Sequence, residues 1–289
     1  MKYERTLAYL AAAYLLSGFS SCASFSGTPD ALPLADGWYV YDFERTFVQE
    51  EQASAGARPA RQEITLKQSG SVTYCENGVL FDPVLSVRLR VGSGGEIRSA
   101  DNPSISGSVR RDGGFSWSGT LKRDGKLKDV SVSVQGNLAF LPREARAADS
   151  CDGLYHARDA ATGKELLARV SGGLYTWKYL DSEAWGDGLA PWPAMLRPSG
   201  DFAFTMEVTT ALEMEEMGRT VYSVSYSCEG AVQPRKSISL REHTKDSEGN
   251  IPAISRVYSG GPARPGNYPV DALPETIGEE LPARVRAKK

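Results

Sequence analysis

At 289 residues the chain has room for one or two domains. Its 41% hydrophobic and 24% charged content is that of a globular chain able to bury a core, and the net charge of −3 excludes the basic surface that nucleic-acid binding needs. The two histidines, His156 and His243, are too few and too far apart for the common metal sites or for a Ser-His triad, so neither a metal nor another cofactor is expected.

The chain starts Met-Lys-Tyr-Glu-Arg and continues with the apolar run LAYLAAAYLLSG over residues 7–18. That run is shorter than the roughly 20 residues a membrane-spanning helix requires, and it has the form of a secretory signal. Residues 1–21 are therefore read as a signal peptide. The next step, Phe19-Ser20-Ser21-Cys22, resembles the lipobox of bacterial lipoproteins, in the looser form found in spirochaetes. The resemblance implies acylation of Cys22 with palmitate-type chains after cleavage. It also implies export and anchoring to a bacterial membrane, facing the periplasm or the cell surface, with the lipid bilayer as partner. Loss of Lys2, Glu4 and Arg5 with the signal takes the net charge to −4. Residues 22–34 then form a short tether.

From residue 35 onward apolar and polar residues alternate, the period of a half-buried strand, and Gly-rich turns punctuate them. Four blocks recur in order. Asp36-Gly37-Trp38-Tyr39 is echoed by Asp152-Gly153-Leu154-Tyr155. Residues 63–70 are echoed by 165–172, residues 111–117 by 197–204, and residues 130–136 by 224–230. This predicts an all-β fold of two tandem antiparallel β-meanders, copy one over 35–142 and copy two over 151–245, joined by a linker at 143–150. Each copy is a small barrel or a sandwich, lipocalin- or streptavidin-like by analogy only. Polar loops are expected at 49–61 and 209–220, an extra hairpin at 85–105, and a disordered Pro/Gly-rich tail at 246–289.

With Cys22 acylated, three cysteines remain. Cys151 and Cys228 both lie in copy two at positions where copy one has none. If they flank the first and last strands of a closed meander, a Cys151–Cys228 disulfide would staple it, contributing about 3–4.5 kcal/mol. Cys75 would remain a buried thiol.

Motifs for catalysis are weak. Gly92-Ser93-Gly94-Gly95 lacks the Gly-Lys-Ser/Thr ending of a phosphate loop, and Ser116 sits in a strand pattern and not at a nucleophile elbow. Asp181, Glu183 and Asp187 could form a carboxylate pair for glycan hydrolysis. The stronger signal in that region is aromatic. Tyr175, Trp177 and Tyr179 alternate and so share a strand face, with Trp185 and Trp192 in the loop that follows. Those five residues are the candidate ligand site. The expected role is a non-enzymatic interaction module whose partner is an envelope or host protein. The alternatives are a carrier of a sugar or small apolar ligand in copy two, and a carboxylate-dependent hydrolase.

Overall fold

The computed structural model describes residues 34–51, 60–82, 87–121, 129–180, 194–214, 218–248 and 253–269. The expected signal peptide, Cys22 and most of the expected tether lie outside them. Among the described residues there is no α-helix, only strands and three 3-10 turns. The cause is local: along Val130–Phe140, Val130, Val132, Val134 and Leu138 are buried while Ser131, Ser133 and Gln135 are exposed, the two-residue alternation that only a strand presents.

The first eight-stranded circuit begins with β1 (Gly37–Glu51), β2 (Ala60–Ser69), β3 (Val72–Glu76) and β4 (Val79–Asp82). It continues with β5 (Val87–Val91), β6 (Glu96–Ser99), β7 (Ser106–Val109), β8 (Gly114–Leu121) and β9 (Val130–Phe140). Strands β2 and β3 act as one strand bent at Gly70 and Ser71. The bend is held on β1 by Gly70 N–H donating to Asp42 Oδ1 (2.8 Å) and Ser71 Oγ donating to Tyr41 O (2.7 Å). Antiparallel pairing runs β1–β3–β4–β5–β6–β7–β8–β9 and returns to β1. The choice between barrel and sandwich thus resolves to a closed barrel.

Copy two contains β10 (Gly153–Asp159), β11 (Glu165–Ser171), β12 (Leu174–Tyr179), β13 (Ala194–Met195), β14 (Asp201–Met214), β15 (Gly218–Gln233), β16 (Ser237–Asp246) and β17 (Ile254–Pro262). A tight turn, with Arg197 N–H donating to Asp201 O (2.8 Å), joins β13 to β14. The β10–β17 pairing returns the chain to its start.

The two circuits match strand for strand. Gly37 faces Cys75 as Gly153 faces Val170. Tyr39 faces Phe140 as Tyr155 faces Pro262. Ile97 faces Gly107 as Phe202 faces Gly230. Tyr39 Oη donates to Ala35 O (2.9 Å) and Tyr155 Oη to Cys151 O (2.8 Å), each four residues back. Even the second hairpins agree: Asn77-Gly78 and Gly172-Gly173 both carry two positive φ values, the form that fits a two-residue turn to twisted strands.

This register corrects the sequence alignment of the copies. Only the first block joins equivalent residues. Residues 165–172 correspond to 70–77 and not 63–70. Residues 197–204 correspond to 92–99 and not 111–117. Residues 224–230 correspond to 101–107 and not 130–136. Period-two strands resemble one another, so a slip by whole strands preserves the apolar pattern.

The tail expectation is also corrected. Residues 254–262 are the closing strand of copy two, followed by a 3-10 turn at Pro265–Asn267. The expected loop at 209–220 is instead the end of a long hairpin, since β14 and β15 stay paired as far as Met214 and Gly218.

The circuits are not separate. The outer edge of β2 pairs with β14 from Ser69↔Thr205 to Ala60↔Met214, making one continuous sheet. Each barrel has its own apolar interior, one around Tyr41, Phe43, Phe115 and Trp117, the other around Tyr175, Trp177, Phe202 and Leu240. A third cluster, in which Trp38, Val72, Phe81 and Leu141 of copy one meet Leu174 of copy two, packs the copies together below the seam.

Close backbone approach in both barrels makes a specific demand. A Cβ at Gly107 would lie 2.1 Å from Ser116 O, and at Gly230 2.3 Å from Ser239 O. Gly107→Ala and Gly230→Ala should each lower stability by about 1–3 kcal/mol through overpacking, measured by urea melting.

Candidate functional site

Because both barrels lie on the same side of the seam, the opposite face of the spanning sheet is a single outward surface. Its residues come from the polar positions of each alternating strand. Following the register across the strands gives a row made only of hydroxyl side chains: Ser106, Ser118, Ser133, Thr46, Thr65, Thr209 and Ser223. Ser247 extends it, its Oγ accepting from Ser223 N–H (3.0 Å). Thr46 and Thr65 hydroxyls lie 3.3 Å apart, and Thr209 and Ser223 hydroxyls 2.8 Å apart. With strands about 4.8 Å apart, the row carries a donor-acceptor group at each strand step over both copies.

The neighbouring row is charged, with two carboxylates against one cation: Gln135, Glu44, Lys67, Glu207 and Ser225 follow in register. Lys67 Nζ stands 3.5 Å from Glu44 Oε2 on a half-exposed surface, an arrangement worth little to stability. Between this row and the one holding Asp42, Asn137, Ser69, Thr205 and Ser227 runs an open groove of about 880 Å³ that crosses from β8 to β15. Phe43, Gln68 and Phe115 beneath it are buried, so their side chains point into the barrel and their backbone lies between the outward rows. Burial raises the Asp42 carboxyl above its ordinary value, against the opposing pull of Gly70 N–H. A second depression of about 410 Å³, lined by His156, Arg264, Asn267 and Tyr268, lies where the last described residues cross β10.

The aromatic residues singled out from sequence are elsewhere. Tyr175 and Trp177 do share a face with Tyr179, but that face is the inside of barrel two, and both are fully buried. Tyr175 stacks on Phe202 with ring centroids 4.1 Å apart. They are core residues, not an exposed platform, because the strand face that alternates aromatic closes inward. Trp185 and Trp192, and with them Asp181, Glu183 and Asp187, lie outside the described residues.

Tyr179 leads to a residue the sequence reading missed. Its hydroxyl donates to Glu242 Oε1, and Tyr226 Oη donates to the same oxygen (2.9 Å). Glu242 is buried inside the barrel, with Arg256 Nη1 3.9 Å from Oε2. Burial, partly offset by the Tyr258 phenol and the cations of Arg256 and Lys164, pushes the Glu242 carboxyl up to about 7. The available signal was register. Ile238 and Leu240 point inward, so Glu242 two residues on must do so too.

The expected Cys151–Cys228 bridge is not formed, and Cys75, Cys151 and Cys228 are all free and buried. The strand that closes on β10 is β17, whereas Cys228 lies on β15 between β14 and β16. Burial pushes the Cys75 and Cys228 thiols up to about 12 and raises that of Cys151, which keeps them protonated and inert. A thiol titration of residues 23–289 should therefore find three groups per chain in denaturant and slow reaction in the native state.

No protein-family model matches the chain, and no curated protein matches it. Among solved structures it is compared with a tesB protein of Mycobacterium avium subs. paratuberculosis, at 10% identity over 78% of this chain and 79% of that one. The TM-score is 0.13, too low to carry any argument.

Proposed function

We propose that the protein is an exported envelope lipoprotein, anchored through acylated Cys22, that binds an extended hydroxyl-rich polymer such as a glycan strand along its outer face. The role is binding and not catalysis. The observation that carries this reading is the row of hydroxyls unbroken from Ser106 to Ser223, bordered in copy one by a depression of about 370 Å³ that Thr46, Ser106, Ser118 and Ser133 line. A polymer laid across the strands meets one donor-acceptor group at each step, and the rows are neither strongly charged nor apolar, which disfavours a nucleic acid or a lipid surface.

The test is co-sedimentation with insoluble cell-wall polysaccharide. Thr46→Val, Thr65→Val and Thr209→Val combined keep β-branched shape while removing three hydroxyls. At about 0.5–1.5 kcal/mol per hydrogen bond, the triple variant should bind at least about tenfold more weakly with little change in melting temperature. Equal binding by both proteins would sink the reading. The anchor is tested separately: Cys22→Ala should move the protein from the detergent-soluble to the aqueous fraction in cells.

A further inference from the structure

Barrel one neutralises its interior charge. Arg45 Nη2 sits 2.5 Å from Asp82 Oδ2, both side chains fully buried, and Tyr41 Oη donates to the same oxygen (2.7 Å). Barrel two holds Glu242 without so close a cation, since Arg256 stands at 3.9 Å and is itself 22% exposed. In the interior of barrel two, three buried donor atoms have no hydrogen-bond partner among the described residues, Tyr175 Oη, Trp177 Nε1 and Arg256 Nε, as Arg45 Nε, Arg45 Nη1 and Trp117 Nε1 have none in barrel one. Tyr258 Oη faces Glu242 without a well-aligned bond. A buried donor left unpaired is costly, and native interiors rarely tolerate several together.

What this interior lacks is acceptors. A cation would supply none and would meet Arg256 and Lys164. An anion would meet Glu242 and, beyond it, Asp159. We propose that barrel two binds a small uncharged ligand rich in hydroxyl or carbonyl oxygens, held between the Glu242 carboxylate and the unpartnered Tyr175, Trp177 and Arg256 donors. Hydroxyl groups suit both needs, accepting from the phenol and indole and donating to the Glu242 carboxylate, while the Tyr and Trp rings supply the apolar faces that small-ligand sites use. Tyr179, Tyr226 and Arg256 are only partly buried, so the cluster reaches solvent from this end of the barrel. This site lies inside the barrel, not on the outer face, and stands or falls independently of polymer binding there.

The experiment is calorimetric titration of the protein with glucose, N-acetylglucosamine and glycerol, repeated on Tyr175→Phe, Glu242→Gln and the triple Thr→Val variant of the outer face. Saturable binding of at least one probe is expected. It should weaken at least tenfold in Tyr175→Phe and in Glu242→Gln, and stay unchanged in the triple variant. Tyr175→Phe removes a hydroxyl that is unpartnered in the free protein, so its melting temperature should hold or rise, which separates lost binding from lost fold. No saturable binding of any probe, or equal affinity in wild type and Tyr175→Phe, overturns the proposal and leaves ordered water as the partner of these donors.

Discussion

Arg45→Leu is expected to lower stability by about 3–5 kcal/mol. The guanidinium is wholly buried against Asp82 and rests over the Phe43 ring, 4.7 Å from its centroid. Removing it takes the guanidinium charge away from a carboxylate held in the barrel interior. The second half of the test matters more. Buried ion pairs are often no better than apolar residues of the same volume, so Arg45→Met combined with Asp82→Leu should recover most of the loss. Urea melts of the single and double variants measure both effects. A single variant as stable as wild type would mean the pair is not buried as described.

Glu242 gives the second large effect, and it depends on pH. Its carboxyl lies at about 7 in the folded protein against 4.5 as reference, with burial as the main cause. Below pH 4.5 the group is protonated in both states and costs nothing. Between 4.5 and 7 the unfolded chain ionises while the folded one holds its proton, so stability falls as pH rises, and above 7 the loss is complete. The change is on the order of 3 kcal/mol. Glu242→Gln should therefore gain stability relative to wild type on going from pH 4.5 to pH 8. The comparison has to be relative, because Asp159 and Asp201, lowered by hydrogen bonds, titrate in the opposite sense. Two parallel stability curves would show that Glu242 does not carry the shift.

The class of fold was legible because alternation is local. Stretches such as Val130-Ser131-Val132-Ser133-Val134 can only be half-buried strands. The first repeat block was legible too, since Gly37 and Gly153 open equivalent strands under the same tyrosine hydrogen bond. What failed was non-local. Strand β17 carries Ser259-Gly260-Gly261 and exposes Val257, so it offers no apolar pattern. Gly260 is there because a Cβ would meet His156 O of β10 at 1.8 Å, a constraint visible only once the strands are paired. Mistaking that strand for tail also moved the supposed end of the barrel to Cys228 and suggested a disulfide that the topology does not make.

The candidate sites divide in the same way. Alternating hydroxyls such as Ser116, Ser118, Ser131, Ser133, Ser223 and Ser225 are in plain sight, but that only Ser118, Ser133 and Ser223 of these join one row depends on register between distant strands, as for Thr46 and Thr209, both paired to Thr65. Glu242 hid in Arg241-Glu242-His243-Thr244-Lys245-Asp246, a run whose composition suggests solvent on both faces although Glu242 and Asp246 are buried.

The outer face is one surface only because β2 joins the copies. Residue-resolved amide hydrogen exchange across Ala60–Ser69 tests this most directly. Paired with β1 on one edge and β14 on the other, β2 should protect successive amides along its length. If the barrels were independent, β2 would be an edge strand, and every second amide would exchange at the rate of an open chain.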